Sequence, residues 1–146
     1  MSVIKFITPQ EVITVRHPIL REGKPLESCI FLGDHSAGTF HLGYYENNQL
    51  VGVVTLFKKN YGENGGIGYQ LRGMAVLQEF QGKQIGRKLV EKAEQIAIQR
   101  YGNYVWMNAR IVAVGFYEKM GYHKVSNAFD VPGIGNHFTM LKKLQN

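Results

Sequence analysis

Tyr69-Gln70-Leu71-Arg72-Gly73-Met74-Ala75-Val76, followed at Gln81-Gly82-Lys83-Gln84-Ile85-Gly86-Arg87 by a polar turn, decides how the rest of the chain is read. The first run is rich in apolar residues and predicts a buried strand. The second holds two glycines and opens onto Lys88 to Arg100, where Ile85, Leu89, Ala93, Ile96 and Ala97 recur at helical spacing. A strand, a turn that aims its backbone N–H groups one way and a helix opening on that turn together form an anion site. The free N–H groups and the positive end of the helix dipole both attract negative charge. Lys83, Arg87 and Lys88 stand in or near the first turn, where they oppose the dipole unless an anion offsets them. The stretch predicts a pyrophosphate site, and its spacing fits neither the P-loop nor the dinucleotide fingerprint.

The elements on either side alternate. Ser2 to Ile7 predicts a first strand, and Thr8-Pro9-Gln10-Glu11 a capping box that starts a helix carrying Val12, Ile13 and Val15. Pro18 is expected to disrupt that helix. Ile19 to Cys29 reads as irregular or briefly helical, and Gly33 to Gly38 as a turn. Thr39 to Glu46 and Gln49 to Lys58 predict a hairpin across Asn47-Asn48, and glycine-rich Asn60 to Gly68 a loop. Beyond the central helix, Gly102-Asn103 stops it. Tyr104 to Asn108 predicts a strand, Ile111 to Met120 a helix, Tyr122 to Asp130 a strand and His137 to Leu144 a last strand. The fold class is therefore α/β: one domain over residues 1–146, with a mixed central sheet of about seven strands flanked by helices on both faces.

At 146 residues the chain is long enough for one proper core. Lone Cys29 rules out an internal disulfide and fits a reducing compartment. The first residues show no charged-then-apolar leader, so a cytoplasmic location is expected. No apolar run approaches a membrane span, and no Cys or His spacing suggests a metal site. A formal charge of +6 raises nucleic-acid binding, but the basic residues are scattered, with no run longer than two. A basic surface serving anionic small molecules explains that charge without nucleic acid or membrane. Nothing separates a monomer from a homodimer.

The turn resembles the Q/R-x-x-G-x-G/A signature of the GNAT superfamily of N-acetyltransferases, with Gln81 in the first position and Gly86 in the last. Gln84 replaces the middle glycine, a departure that costs nothing if its backbone angles are ordinary helical ones and about a kcal/mol or more if φ is positive. Phe116-Tyr117-Glu118-Lys119-Met120-Gly121-Tyr122 is similar to the late F/L-Y-x-K-x-G-F/Y segment of the same superfamily. Arg16 to Arg21, Phe40 to Gly43, Tyr69 to Ala75, Asn108 to Arg110 and Phe129-Asp130 resemble the glyphosate N-acetyltransferase subgroup.

The resemblance implies acetyl-coenzyme A as co-substrate. Its pyrophosphate would lie on Gln81, Gly82, Lys83, Gln84, Ile85, Gly86 and Arg87, and its pantetheine arm along Met74, Ala75 and Val76 like an added strand. It further implies His137 as the base that deprotonates the amine and Tyr117 as the acid that protonates the leaving thiolate. Arg21, Arg72 and Arg110 would clamp a small amine bearing carboxylate or phosphonate groups, which forked guanidinium donors suit. Arg72 stands out without any family, because a charge inside a buried strand is costly unless partnered. His17 and His41 match the subgroup as well, with no role beyond packing or helix-end charge. The rival readings are an acetyltransferase for a polyamine or a peptide N-terminus, and a coenzyme A-binding sensor without turnover.

Overall fold

A computed structural model describes residues 1–145. Eight strands form one mixed sheet: β1 (Ser2–Phe6), β2 (Phe40–Glu46), β3 (Gln49–Lys58), β4 (Gly68–Val76), β5 (Tyr104–Arg110), β6 (His123–Lys124), β7 (Phe129–Val131) and β8 (Gly135–Lys143). Their order is β1-β2-β3-β4-β5-β8-β6, with β7 paired to β8. The count exceeds seven because the single strand expected over Tyr122 to Asp130 is two short ones, each paired to a different part of β8.

Helix α1 (Pro9–Leu20) begins at the expected capping box: Thr8 Oγ1 accepts from the Glu11 N–H at 3.1 Å and Glu11 Oε1 from the Thr8 N–H at 2.8 Å. Pro18 does not break it. The proline sits in the last turn and forfeits a single backbone bond, so the helix runs on to Leu20. The hairpin turns at Asn47 (φ 49°) and Asn48 (φ 69°), the two left-handed residues of a type I′ turn. Helix α2 (Ile85–Gln99) packs Ile85, Leu89, Ala93 and Ile96 on the face of Val54 and Leu56. Val12 and Val15 of α1 pack on the opposite face against Val53 and Ala75. The helix expected over Ile111 to Met120 is a 3₁₀ turn followed by α3 (Val114–Lys119).

Strand β4 positions the site. It pairs antiparallel with β3 along its length, yet parallel with β5 only over Gly68–Gln70 against Tyr104–Trp106. Beyond Gln70 the two diverge. The β3 register slips by one between Val53 and Thr55, so Gly73 and Met74 together oppose Val54 in a bulge. Gly73 takes φ 66°, and a Cβ there would lie 2.9 Å from Arg16 Nε, so both angle and space call for glycine.

Behind the bulge lies a buried ionic cluster. Arg16, fully buried, donates to Asp34 Oδ2 at 2.7 Å and Oδ1 at 3.1 Å, to the Cys29 carbonyl at 2.8 Å and to Thr55 Oγ1 at 2.9 Å. Asp34 Oδ2 also accepts the Phe31 N–H at 2.8 Å. Burial alone would push the Asp34 carboxyl up, but the Arg16 and Phe31 bonds outweigh it and hold it below the usual carboxylate value. His41 bridges Thr55 and the Asp34 carbonyl, and burial holds its pKa below the ordinary value, so the ring is neutral. The cluster ties the segment from Cys29 to Asp34 against α1 and β3. Replacing Arg16 by Met leaves Asp34 buried and unpaired and is expected to cost about 3–5 kcal/mol, read from chemical denaturation. A loss under about 1 kcal/mol would show that the pair does not hold the fold.

Candidate active site

The divergence of β4 from β5 leaves a cleft inside the sheet. The Leu77 N–H donates to the Val51 carbonyl at 2.8 Å. Strand alternation therefore turns the N–H groups of Val76 and Met74 away from β3 and into the cleft. A cavity of about 400 Å³ follows this edge, lined by Met74, Ala75, Val76, Gln81, Gly82, Gln84, Ile85, Gly86 and Arg87, with Ile19, Phe80 and Phe116. Lys83 is the one residue of the expected set outside that lining; its ammonium lies 5.3 Å from the centre of the Phe80 ring. Gln81 turns inward, and its Nε2 donates to the Val76 carbonyl at 2.9 Å, bracing the loop against the strand.

The loop places Gly82 at φ 79° and Gln84 at φ 67°. Ordinary helical angles would have left Gln84 unstrained. It is instead left-handed, as the glycine it replaces would be, so the strain is real. Helix α2 starts there with no side-chain cap and no acidic residue in its first turn, leaving its first N–H groups free for an anion. At Gly86 a Cβ would come within 3.0 Å of Met74 Cε, so the missing side chain lets the helix mouth close on the strand. These features fit a bound acyl-coenzyme A: an unpaired strand edge for pantetheine amides, then a helix mouth for the pyrophosphate.

Met74 also lines a second cavity, of about 460 Å³, at the other end of the cleft. Arg21, Arg72, Arg110, Tyr117 and His137 all face it, so five residues far apart in sequence meet at one place. Arg110 and His137 are cross-strand partners on β5 and β8. His137 is 6% exposed and its Nδ1 lies 2.8 Å from the Gly135 carbonyl. A carbonyl only accepts, so Nδ1 carries the proton in the neutral ring and Nε2 keeps its lone pair. The ring stacks on Phe129, centroids 5.8 Å apart. Burial pushes the Tyr117 hydroxyl well above its ordinary pKa, so it stays protonated.

The arginines gather around a residue that sequence reading missed. The guanidinium carbons of Arg16, Arg72 and Arg21 lie 3.9, 4.5 and 5.6 Å from the Phe31 ring centre. Phe31 carries no local signal, because its neighbours come from α1 and β4 and only the fold joins them. Arg72 was expected to need a partner inside its strand. The bulge exposes it to the cavity instead, and among the described residues it forms no ion pair. Desolvation first, then the charges of Arg16 and Arg21, lower its pKa from the usual value. His17, left without a role above, accounts for the turn beside the cavity: its Nε2 donates to the Lys24 carbonyl at 2.9 Å.

The chain matches the family model of the acetyltransferase (GNAT) domain over residues 7–144. It belongs to the GNAT acetyltransferases. This GNAT enzyme is 34% identical over 146 residues to the uncharacterized N-acetyltransferase YitI of Bacillus subtilis, covering 99% of this chain and 98% of that one. Its fold superimposes on a putative N-acetyltransferase from Lactobacillus plantarum with TM-score 0.81 at 17% identity, covering 99% of each chain. An aminoglycoside 6'-N-acetyltransferase complexed with coenzyme A gives TM-score 0.79 at 16% identity, over 99% of this chain and 98% of that one. As a GNAT acetyltransferase the protein transfers acetyl groups from acetyl-coenzyme A to an amine. No helix among the described residues is long and apolar enough to cross a membrane.

Gln84 gives this site a direct test. Substituting glycine removes a left-handed penalty of about 1–2 kcal/mol and adds roughly 0.5–1 kcal/mol of unfolded-state entropy. Gln84→Gly is therefore expected to raise the melting temperature by about 2–4 °C. A fall would mean that the Gln84 side chain contributes more than its backbone angle costs.

Proposed function

We propose that this acetyltransferase acts on a small amine carrying acidic groups, with His137 as base, Tyr117 as hydrogen-bond and proton donor, and Arg21, Arg72 and Arg110 as the acid-binding clamp. The observation that carries the reading is the single cavity shared by those five side chains, with no Asp or Glu in its lining. A polyamine acceptor calls for carboxylates at that place. The likeness of the sequence to the glyphosate N-acetyltransferase subgroup points the same way, towards a phosphono- or dicarboxylic amino acid; glyphosate is one member of that class.

Acetyl-coenzyme A supplies the thioester carbonyl. The free Nε2 of His137 takes a proton from the acceptor nitrogen as its lone pair forms the C–N bond, a contribution of about 10²–10⁴ in rate. The cleft-facing N–H of Met74 or Val76 donates to the acyl oxygen as negative charge grows there. As the C–S bond breaks, the Tyr117 hydroxyl donates towards the sulfur. Burial disfavours the tyrosinate, so Tyr117 acts foremost as a hydrogen-bond donor to the growing thiolate, and any proton it passes to sulfur is balanced by the one His137 has taken from the amine. Transfer is direct, because Cys29 is fully buried and does not line the cavity.

His137→Ala is expected to lower kcat about a hundredfold or more while leaving coenzyme affinity, measured by calorimetry, nearly unchanged. Near-normal thiol release would remove His137 from the mechanism, and coenzyme binding without thiol release across an amine panel of the wild type would favour a sensor. For Arg72→Ala and Arg110→Ala the expected effect is a rise in KM of about tenfold or more for acidic acceptors. Equal weakening towards neutral amines would overturn the clamp.

A further inference from the structure

The acceptor cavity does not end at the clamp. A groove of about 300 Å³ leads outward from it, sharing Leu20, Arg21, Arg110 and Ile134 and adding Lys24, Pro132 and Gly133. On the other side a second groove shares Lys59, Gln70 and Arg72 and adds Lys58. Across the cavity and both grooves stand six cations and not one carboxylate. Six of the 17 lysines and arginines of the chain thus meet around one cavity and its two grooves.

The outer groove has a definite chemistry. Its walls at Leu20, Pro132 and Ile134 are apolar, while Arg21, Lys24 and Arg110 supply the charge. Lys24 and Arg110 are exposed and form no ion pair among the described residues; Arg21 spends one N–H on the Leu20 carbonyl at 3.0 Å. Three like charges around one groove repel each other, and an anion between them relieves that repulsion. The turn that carries Lys24 is fixed rather than loose. His17 Nε2 donates to the Lys24 carbonyl, and the Lys24 N–H donates to the Arg21 carbonyl at 2.9 Å.

We propose that this groove is a second anion subsite, and that the preferred acceptor is an α-amino acid whose distal acidic group is carried on a spacer of several methylenes. This rests on the acidic-amine reading above and deepens it. The near carboxylate meets Arg72, the spacer lies along Leu20, Pro132 and Ile134, and the distal anion reaches Lys24 between Arg21 and Arg110. Lys24 is then a specificity-determining residue that touches the acceptor and none of the reacting atoms.

The test is thiol release from acetyl-coenzyme A with the series aspartate, glutamate, 2-aminoadipate and 2-aminopimelate, using the wild type, Lys24→Gln, Lys24→Arg and Lys92→Gln. Lys92, on α2, is the remote charge control. The wild type is expected to show its highest kcat/KM on one of the two longer members. Lys24→Gln is expected to cut the preference for that member over aspartate about tenfold, through KM, with Lys24→Arg restoring it and Lys92→Gln leaving it intact. Turnover that is best with aspartate or glutamate, or a Lys24→Gln loss equal on short and long acids, overturns the subsite while the acidic-amine reading stands. No release with any acid of the series overturns the subsite, and no release with glyphosate and 2-amino-3-phosphonopropionate either overturns the acidic-amine reading as well.

Discussion

A strand in the middle of a sheet that loses one partner half-way must find other uses for its backbone groups. β4 leaves β5 after Gln70, and a buried donor or acceptor without a partner costs about 1–3 kcal/mol. The chain recovers part of this itself, since Gln81 reaches back to the Val76 carbonyl. The remaining N–H groups face the cleft, open to a ligand that pairs like a strand. The bulge at Gly73 sets where this happens, because the extra residue turns Met74 to the boundary between the two cavities. One backbone irregularity thus lays the two cavities end to end, with Met74 in the wall of both.

The acceptor side depends on how charge is divided. Arg16 and Arg72 flank the same ring, but only Arg16 has a counter-ion. Both Asp34 oxygens are committed, to Arg16 and to the Phe31 N–H, so the buried carboxylate is not available to neutralise the cavity. The interior pair is closed and the cavity cations stay open. That separation lets the fold bury an arginine beside the cavity without cancelling the positive charge around it.

How much of this was legible in the sequence follows from the range of the interactions involved. The Thr8 capping box, the Asn47-Asn48 turn and the helical spacing from Ile85 to Ala97 act within a few residues, and each was readable. Pro18 was misjudged because a proline in a last turn forfeits only one bond, and the strand expected over Tyr122 to Asp130 split because β8, not local pattern, decides its pairing. Arg72 advertised itself as a charge among apolar neighbours, although the answer was a cavity rather than a partner. Phe31 and Lys24 could not be read at all. What makes them matter is the company of Arg16, Arg21, Arg72 and Arg110, which only the folded sheet assembles.

The same structure explains why some ionisable residues are suited to chemistry and similar ones are not. His41 and His137 are almost equally buried, at 4% and 6% exposure, yet His41 has both ring nitrogens engaged, with Thr55 and with the Asp34 carbonyl. His137 has only Nδ1 engaged and keeps Nε2 for the cavity. The tyrosines divide in the same way: the Tyr122 hydroxyl donates to Glu94 at 2.8 Å, whereas Tyr117 packs its ring against Phe116 and Tyr122, lines the cavity and has no hydroxyl acceptor among the described residues. A buried polar group with every valence used stabilises the fold and is chemically inert. One with a single valence left over, turned towards a cavity, keeps a hydrogen-bonding position that only a ligand in that cavity can fill.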